Sequence, residues 1–74
     1  MAGVETKQIQ IVVNGQVRTV AEGLTLEALL NLLGVVAERV AVELNREIVR
    51  RKDWPRVTVG PGAAIEVVQF VGGG

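Results

Sequence analysis

Residues 8–20 read QIQIVVNGQVRTV, two runs of alternating character divided by Asn14 and Gly15. Ile9, Ile11 and Val13 alternate with Gln8, Gln10 and Val12, the period of a half-buried strand. Asn-Gly supplies the two positive-φ residues of a type I′ turn, whose twist matches that of the strands it joins, so the stretch reads as a β-hairpin. A two-residue loop fixes the register. Val13 faces Gln16, Val12 faces Val17, Ile11 faces Arg18 and Ile9 faces Val20, each pair sharing a face. Ile9, Ile11 and Val20 mark the core side. The other side holds Gln8, Gln10 and Thr19 and, with them, an apolar pair, Val12 and Val17.

Working outward, GLTLEALLNLLG (23–34) places Leu26, Leu29, Leu30 and Leu33 at helical i, i+3, i+4, i+7 spacing. Thr25 is the expected N-cap, and Glu27 sits in the first turn where the helix dipole favours an acid. Gly34, followed by Val35, fits a Schellman-type stop. RVAVELN (39–45) alternates again with Val40, Val42 and Leu44 inward, and Ile48-Val49 suggests a short partner strand. KDWPRV (52–57) reads as a turn whose Trp54 covers one end of the core. VGPGA (59–63) is a second turn. In the last strand Glu66 must face water, so Ile65 and Val67 point inward and Val68 and Phe70 point outward. Hairpin, helix, strand, short strand and strand in that order predict an α+β roll, one twisted sheet with a helix across one face.

With 74 residues the chain reads as one small domain, spanning residues 8–71 between a flexible N-terminus, 1–7, and a flexible tail, 72–74. Glycine has no Cβ and the most backbone freedom to lose, so Gly72, Gly73 and Gly74 are expected to project from the fold. Hydrophobic residues make up 49% and charged residues 22%, the balance of a folded globular chain rather than a disordered one. MAGVETKQ (1–8) lacks the basic and apolar regions of a leader, and a cytoplasmic setting without a membrane partner is expected. The sequence contains no His, Cys, Ser or Tyr, which removes disulfides, thiolate metal sites and most nucleophiles and general bases. An enzyme is thereby disfavoured, and no metal or bound cofactor is expected.

The formal charge is zero, yet Arg46, Arg50, Arg51, Lys52 and Arg56 crowd one stretch beside only Glu47 and Asp53. Such a segment is either a solvated loop or an electrostatic contact for an acidic surface. With no basic excess elsewhere, nucleic acid is a poor fit. A cluster of Val68 and Phe70 with Val12 and Val17 on the outer face would form a docking patch.

Four segments, VNGQ (13–16), TLEALLNLLG (25–34), VAVELNREIVRRKDW (40–54) and IEVVQFVGGG (65–74), resemble the ThiS family of sulfur carriers in thiamin biosynthesis, part of the ubiquitin-like β-grasp proteins. The resemblance covers essentially the whole chain after Thr6. It implies a mixed sheet of four to five strands in which the first and last lie side by side and parallel. It also implies that Gly74 is the functional residue. A ThiF-type activating enzyme would adenylate its α-carboxylate with ATP. A sulfur donor such as a cysteine desulfurase would supply the atom that makes a thiocarboxylate. A ThiG-type thiazole synthase would then take that sulfur. The chain would be a cosubstrate, with no need of a nucleophile of its own. One departure is VGPGAAIEV (59–67), where many relatives carry an acidic Asp-Gly-Asp type turn. Two alternatives stay open. One is a MoaD-type carrier for molybdopterin synthesis. The other is a ubiquitin-like binding module that works through Val68 and Phe70 without tail chemistry.

Overall fold

Asn14 and Gly15 take φ of 49° and 82° and close the first hairpin as a type I′ turn. The strands they join are β1, Gln8–Val13, and β2, Gln16–Ala21, paired antiparallel in the register that the two-residue loop dictates, from Val13↔Gln16 to Gln8↔Ala21. The computed structural model describes residues 7–70; the tail glycines and most of the N-terminal segment lie outside that range.

Helix α1, Leu26–Leu32, begins where the Thr25 hydroxyl accepts the Ala28 N–H at 3.1 Å. It ends at Gly34, φ 74°, where the Gly34 N–H reaches Asn31 O and the Val35 N–H reaches Leu30 O, both at 3.1 Å. Those two bonds are the Schellman pair that satisfies the last carbonyls. Seven residues are too few for an independent helix in water. Burial of Leu26, Leu29 and Leu30 holds it, with Leu33 and Val35 packed beside them.

Two-residue turn chemistry recurs at Asn45 and Arg46, φ 51° and 71°, between β3, Val40–Leu44, and β4, Glu47–Ile48. Because that turn pairs Leu44 with Glu47, the partner strand starts one residue earlier than the expected Ile48-Val49. Val49 still donates its N–H to Val42 O at 3.0 Å. KDWPRV is not a simple turn but part of a 3-10 helix, Arg51–Arg56, following a shorter one at Ala37–Arg39. Pro55 has no N–H to give an α-helical ladder, whereas the i→i+3 bonds from Asp53 to Arg50 O and from Val57 to Trp54 O do not require it. Trp54 is buried, and its indole N–H donates to Val49 O at 2.9 Å.

The last strand, β5, Ala64–Gln69, runs parallel to β1 (Val13↔Ile65) and antiparallel to β3 (Val42↔Val67). The five-stranded sheet has the order β2-β1-β5-β3-β4, so the last strand to be made is the central one. Its inner face carries Ile11, Val13, Val42 and Ile65 against α1. Val59 and Ala63 join this core through a segment tied to the helix start, with Leu26 donating to Val57 O and Val59 to Leu24 O, each at 2.8 Å.

Neighbouring positions of α1 provide a test. Leu29 is 0% exposed and Leu32 is 69% exposed. Leu29→Ala should lower unfolding free energy by about 2–5 kcal/mol, a large part of what so small a domain has, while Leu32→Ala should change it by less than about 0.5 kcal/mol. Urea denaturation of the two variants measures the contrast, and equal losses would contradict the packing described.

Candidate functional site

The outer face of the sheet follows from strand alternation. Ala64, Glu66 and Val68 face away from α1 while Ile65 and Val67 face it. Val68 and Phe70 are 56% and 60% exposed, and the Phe70 N–H donates to Arg39 O at 2.7 Å, so the chain keeps to β3 one residue past β5.

Val12 and Val17 pair directly on the same outer face, but the register separates them from Val68 and Phe70. Val12 lies level with Ala64, and Val68 is four residues further along, about 13 Å at the usual strand rise. Between these levels stand Glu66 and its cross-strand partner Glu43. The four residues expected to cluster are therefore two apolar pairs with an acidic row between them. Ile48, opposite Glu43 and 73% exposed, adds a third apolar point on this face. Its pairing in β4 was legible in the sequence, but its outward side was not, because the turn register decides it.

The basic residues do not form one patch either. Arg46 lies in the β3–β4 turn, level with the start of β5, whereas β4 and Val49 lead the chain back along β3. Arg51 there pairs with Glu38 at 3.2 Å, next to the start of β3 and hence to the end of β5. Arg56 closes the second 3-10 helix, one residue before the Val57 carbonyl that caps the start of α1. All five cations are exposed. The Arg51–Glu38 pair, with side chains 59% and 66% exposed, contributes little to stability.

Where β5 ends, a cleft of about 370 Å³ opens on the helix side of the sheet, between Val13, Val40 and Val67 and the segment after α1, with Arg18 and Arg39 in its lining. At this end the Asn14 side chain meets Val67: Oδ1 accepts the Val67 N–H at 2.8 Å and Nδ2 donates to Val67 O at 3.3 Å. Asn45 supplies a single side-chain bond at the other end of β5, its Oδ1 accepting the Ala64 N–H at 3.0 Å. The sequence pattern marks Asn14 only as a turn residue and Asn45 only as the end of a strand-like run. Gly72, Gly73 and Gly74 lie outside the described residues. Among the described residues, no three His, Cys, Asp or Glu side chains gather as a metal site, and no helix is long and apolar enough to cross a membrane.

The ThiS family model matches residues 11–74, through the last glycine of the sequence. A thiazole synthase of Paramagnetospirillum magneticum is 44% identical over 66 residues, and one of Magnetococcus marinus is 42% identical over 66; each match takes in 89% of this chain. The chain spans only 20% of the length of either. The uncharacterized protein ycf40 of Porphyra purpurea is 32% identical over 68 residues, covering 92% of this chain and 96% of that protein. Among solved structures, the crystal structure of a thiamine biosynthesis protein (ThiS) from Geobacter metallireducens superposes with a TM-score of 0.79 at 43% identity, covering 89% of this chain and all of that one. The solution structure of a thiamine biosynthesis protein from the same organism gives 0.74.

Exposure of the outer-face residues generates a stability prediction. Val17→Asp and Phe70→Asp should each change unfolding free energy by less than about 0.5 kcal/mol, since neither side chain is buried in the core. A urea midpoint shifted as far as that of a core truncation would show that these side chains support the fold.

Proposed function

Because the chain belongs to the ThiS family, we propose that it is a sulfur carrier of thiamin synthesis, acting in the cytoplasm as a cosubstrate and not as an enzyme. The reactive group is the α-carboxylate of Gly74. What supports this reading is the family match running through Gly74, joined to a central last strand that β3 holds as far as Phe70, four residues before that glycine.

A carboxylate resists attack at neutral pH because its carbonyl carbon is electron-rich and oxide is a poor leaving group. A ThiF-type enzyme joins it to the α-phosphate of ATP, releasing pyrophosphate and making AMP the leaving group. A donor persulfide, such as one on a cysteine desulfurase, then attacks the carbonyl carbon. The C–S bond forms and AMP departs with the electrons of the C–O bond. A thiol reductant cleaves the remaining S–S bond, is itself oxidised to a disulfide, and leaves the thiocarboxylate. None of these steps calls for a nucleophile or base from the carrier, and the sequence contains no His, Cys, Ser or Tyr to supply one. ATP is bound by the activating partner.

The acceptor is a ThiG-type thiazole synthase. Two relatives named thiazole synthase are similar to this chain over a fifth of their length, which supports that pairing. Val68 and Phe70 form the docking point nearest the tail, with Val12 and Val17 as a second, separate one. Of the cations, Arg50 and Arg51 lie nearest the end of β5, Arg51 paired with Glu38, and in this reading they are the candidate contact for an acidic partner surface.

Intact mass spectrometry tests the chemistry. Incubated with the activating enzyme, ATP and a sulfur donor, the chain should exchange one terminal oxygen for sulfur, and deletion of Gly74 should abolish the change. An unaltered mass with competent partners would overturn the carrier reading. For docking, Phe70→Asp should weaken binding to the activating enzyme by about tenfold or more, a loss of about 1.4 kcal/mol, measured by calorimetry. Equal affinity would remove Phe70 from the interface.

A further inference from the structure

The backbone of β1 stops pairing with β5 too early to hold the end of that strand. Its last bonds run from the Val12 N–H to Ala63 O and from the Asn14 N–H to Ile65 O, both 2.9 Å, and the hairpin then turns away. On the other side, β3 holds β5 through the even-numbered residues, since Ala64 O accepts from the Asn45 N–H and Phe70 donates to Arg39 O. Antiparallel alternation therefore aims the N–H and C=O of Val67 toward β1, where no strand backbone remains. The Asn14 amide takes both groups. Its orientation is fixed by the partners, because the Val67 N–H can only donate and the carbonyl can only accept.

The turn itself does not require this side chain. At φ 49° a glycine meets the backbone demand without steric strain, though with more chain entropy to lose, so the folded-state contact that asparagine adds over glycine is the amide. It lengthens the two-sided grip on β5 from Ile65 to Val67.

We propose that Asn14 is a positioning residue: together with the β3 bond at Phe70, its grip on Val67 holds the end of β5 in the place from which Gly74 is presented to a partner's active site. The inference rests on the sulfur-carrier reading. Gly74 comes four residues after Phe70, the last residue that β3 holds, so the grip of Asn14 on Val67 and the β3 bond at Phe70 together set the strand end from which the chain continues toward the reacting group. Errors of about 1 Å at a reacting centre can cost about a hundredfold in rate.

Three variants test it, each followed by amide hydrogen exchange and by ATP–pyrophosphate exchange with the activating enzyme. Asn14→Gly keeps the turn and removes both side-chain bonds. The Val67 amide should exchange about tenfold faster or more, and kcat should fall about tenfold while KM stays within about threefold, because Val68 and Phe70 still dock. Asn14→Asp keeps the acceptor for the Val67 N–H, so its exchange should stay slow and kcat should fall less. Asn45→Gly removes the matching bond at Ala64, at the far end of β5, and should leave kcat as in wild type. Unchanged Val67 exchange in Asn14→Gly, unchanged kcat, a rise in KM alone, or an equal kcat loss in Asn45→Gly would each overturn the proposal. If wild type itself is not adenylated, the carrier reading fails and this inference fails with it, an outcome distinct from a reactive wild type matched by its variants.

Discussion

The parallel pairing of β1 with β5 is the contact on which the other parts of this fold depend. It joins segments about fifty residues apart in the chain through a short register, Val12↔Ala64 and Val13↔Ile65. Two parallel neighbours cannot be linked by a hairpin, so the intervening chain must cross over the sheet, and α1 is the element that does so. The crossing brings Leu26, Leu29 and Leu30 onto Ile11, Val13 and Ile65. It also makes β5 central, with β1 on one side and β3 on the other.

One helix covers one face. The opposite face is left to water or to a partner, and its composition is mixed accordingly. Val12, Val17, Ile48, Val68 and Phe70 are interrupted by Glu43 and Glu66, which oppose each other directly across β3 and β5. A like-charge pair at that position disfavours the sheet. It also divides the apolar surface into small pieces and so limits indiscriminate association. Stability thus comes from the inner face, and the outer face can vary at little cost to folding.

How much of this was legible in the sequence depended on the range of the interaction involved. The Asn14-Gly15 turn, the Thr25 cap and the Gly34 stop are set by residues within a few positions, and each appears in the structure where the pattern placed it. The parallel neighbour of β1 was implied by family resemblance and not by periodicity, which carries no information on strand order. Separation of Val12 and Val17 from Val68 and Phe70 was hidden for the same reason, since alternation assigns a face but not a position along it. The 3-10 helix around Pro55 goes with the burial of Trp54 and its indole bond to Val49 O, which a turn motif does not specify.

The two asparagines show how a local signal can conceal a distant role. Asn14 and Asn45 both open left-handed turns, and both direct a side-chain oxygen to a β5 backbone N–H, at Val67 and at Ala64. Each flanking strand is followed by the same residue, which does two things at once there, reversing the chain and continuing the ladder on the central neighbour. Glycine satisfies only the first. Arg46, also left-handed at φ 71°, has an exposed side chain and makes no side-chain hydrogen bond to β5 among the described residues, so the asparagine pattern goes with the positions that border β5. Turn chemistry explains why asparagine is allowed at 14 and 45; the bond to the central strand is what its side chain adds there.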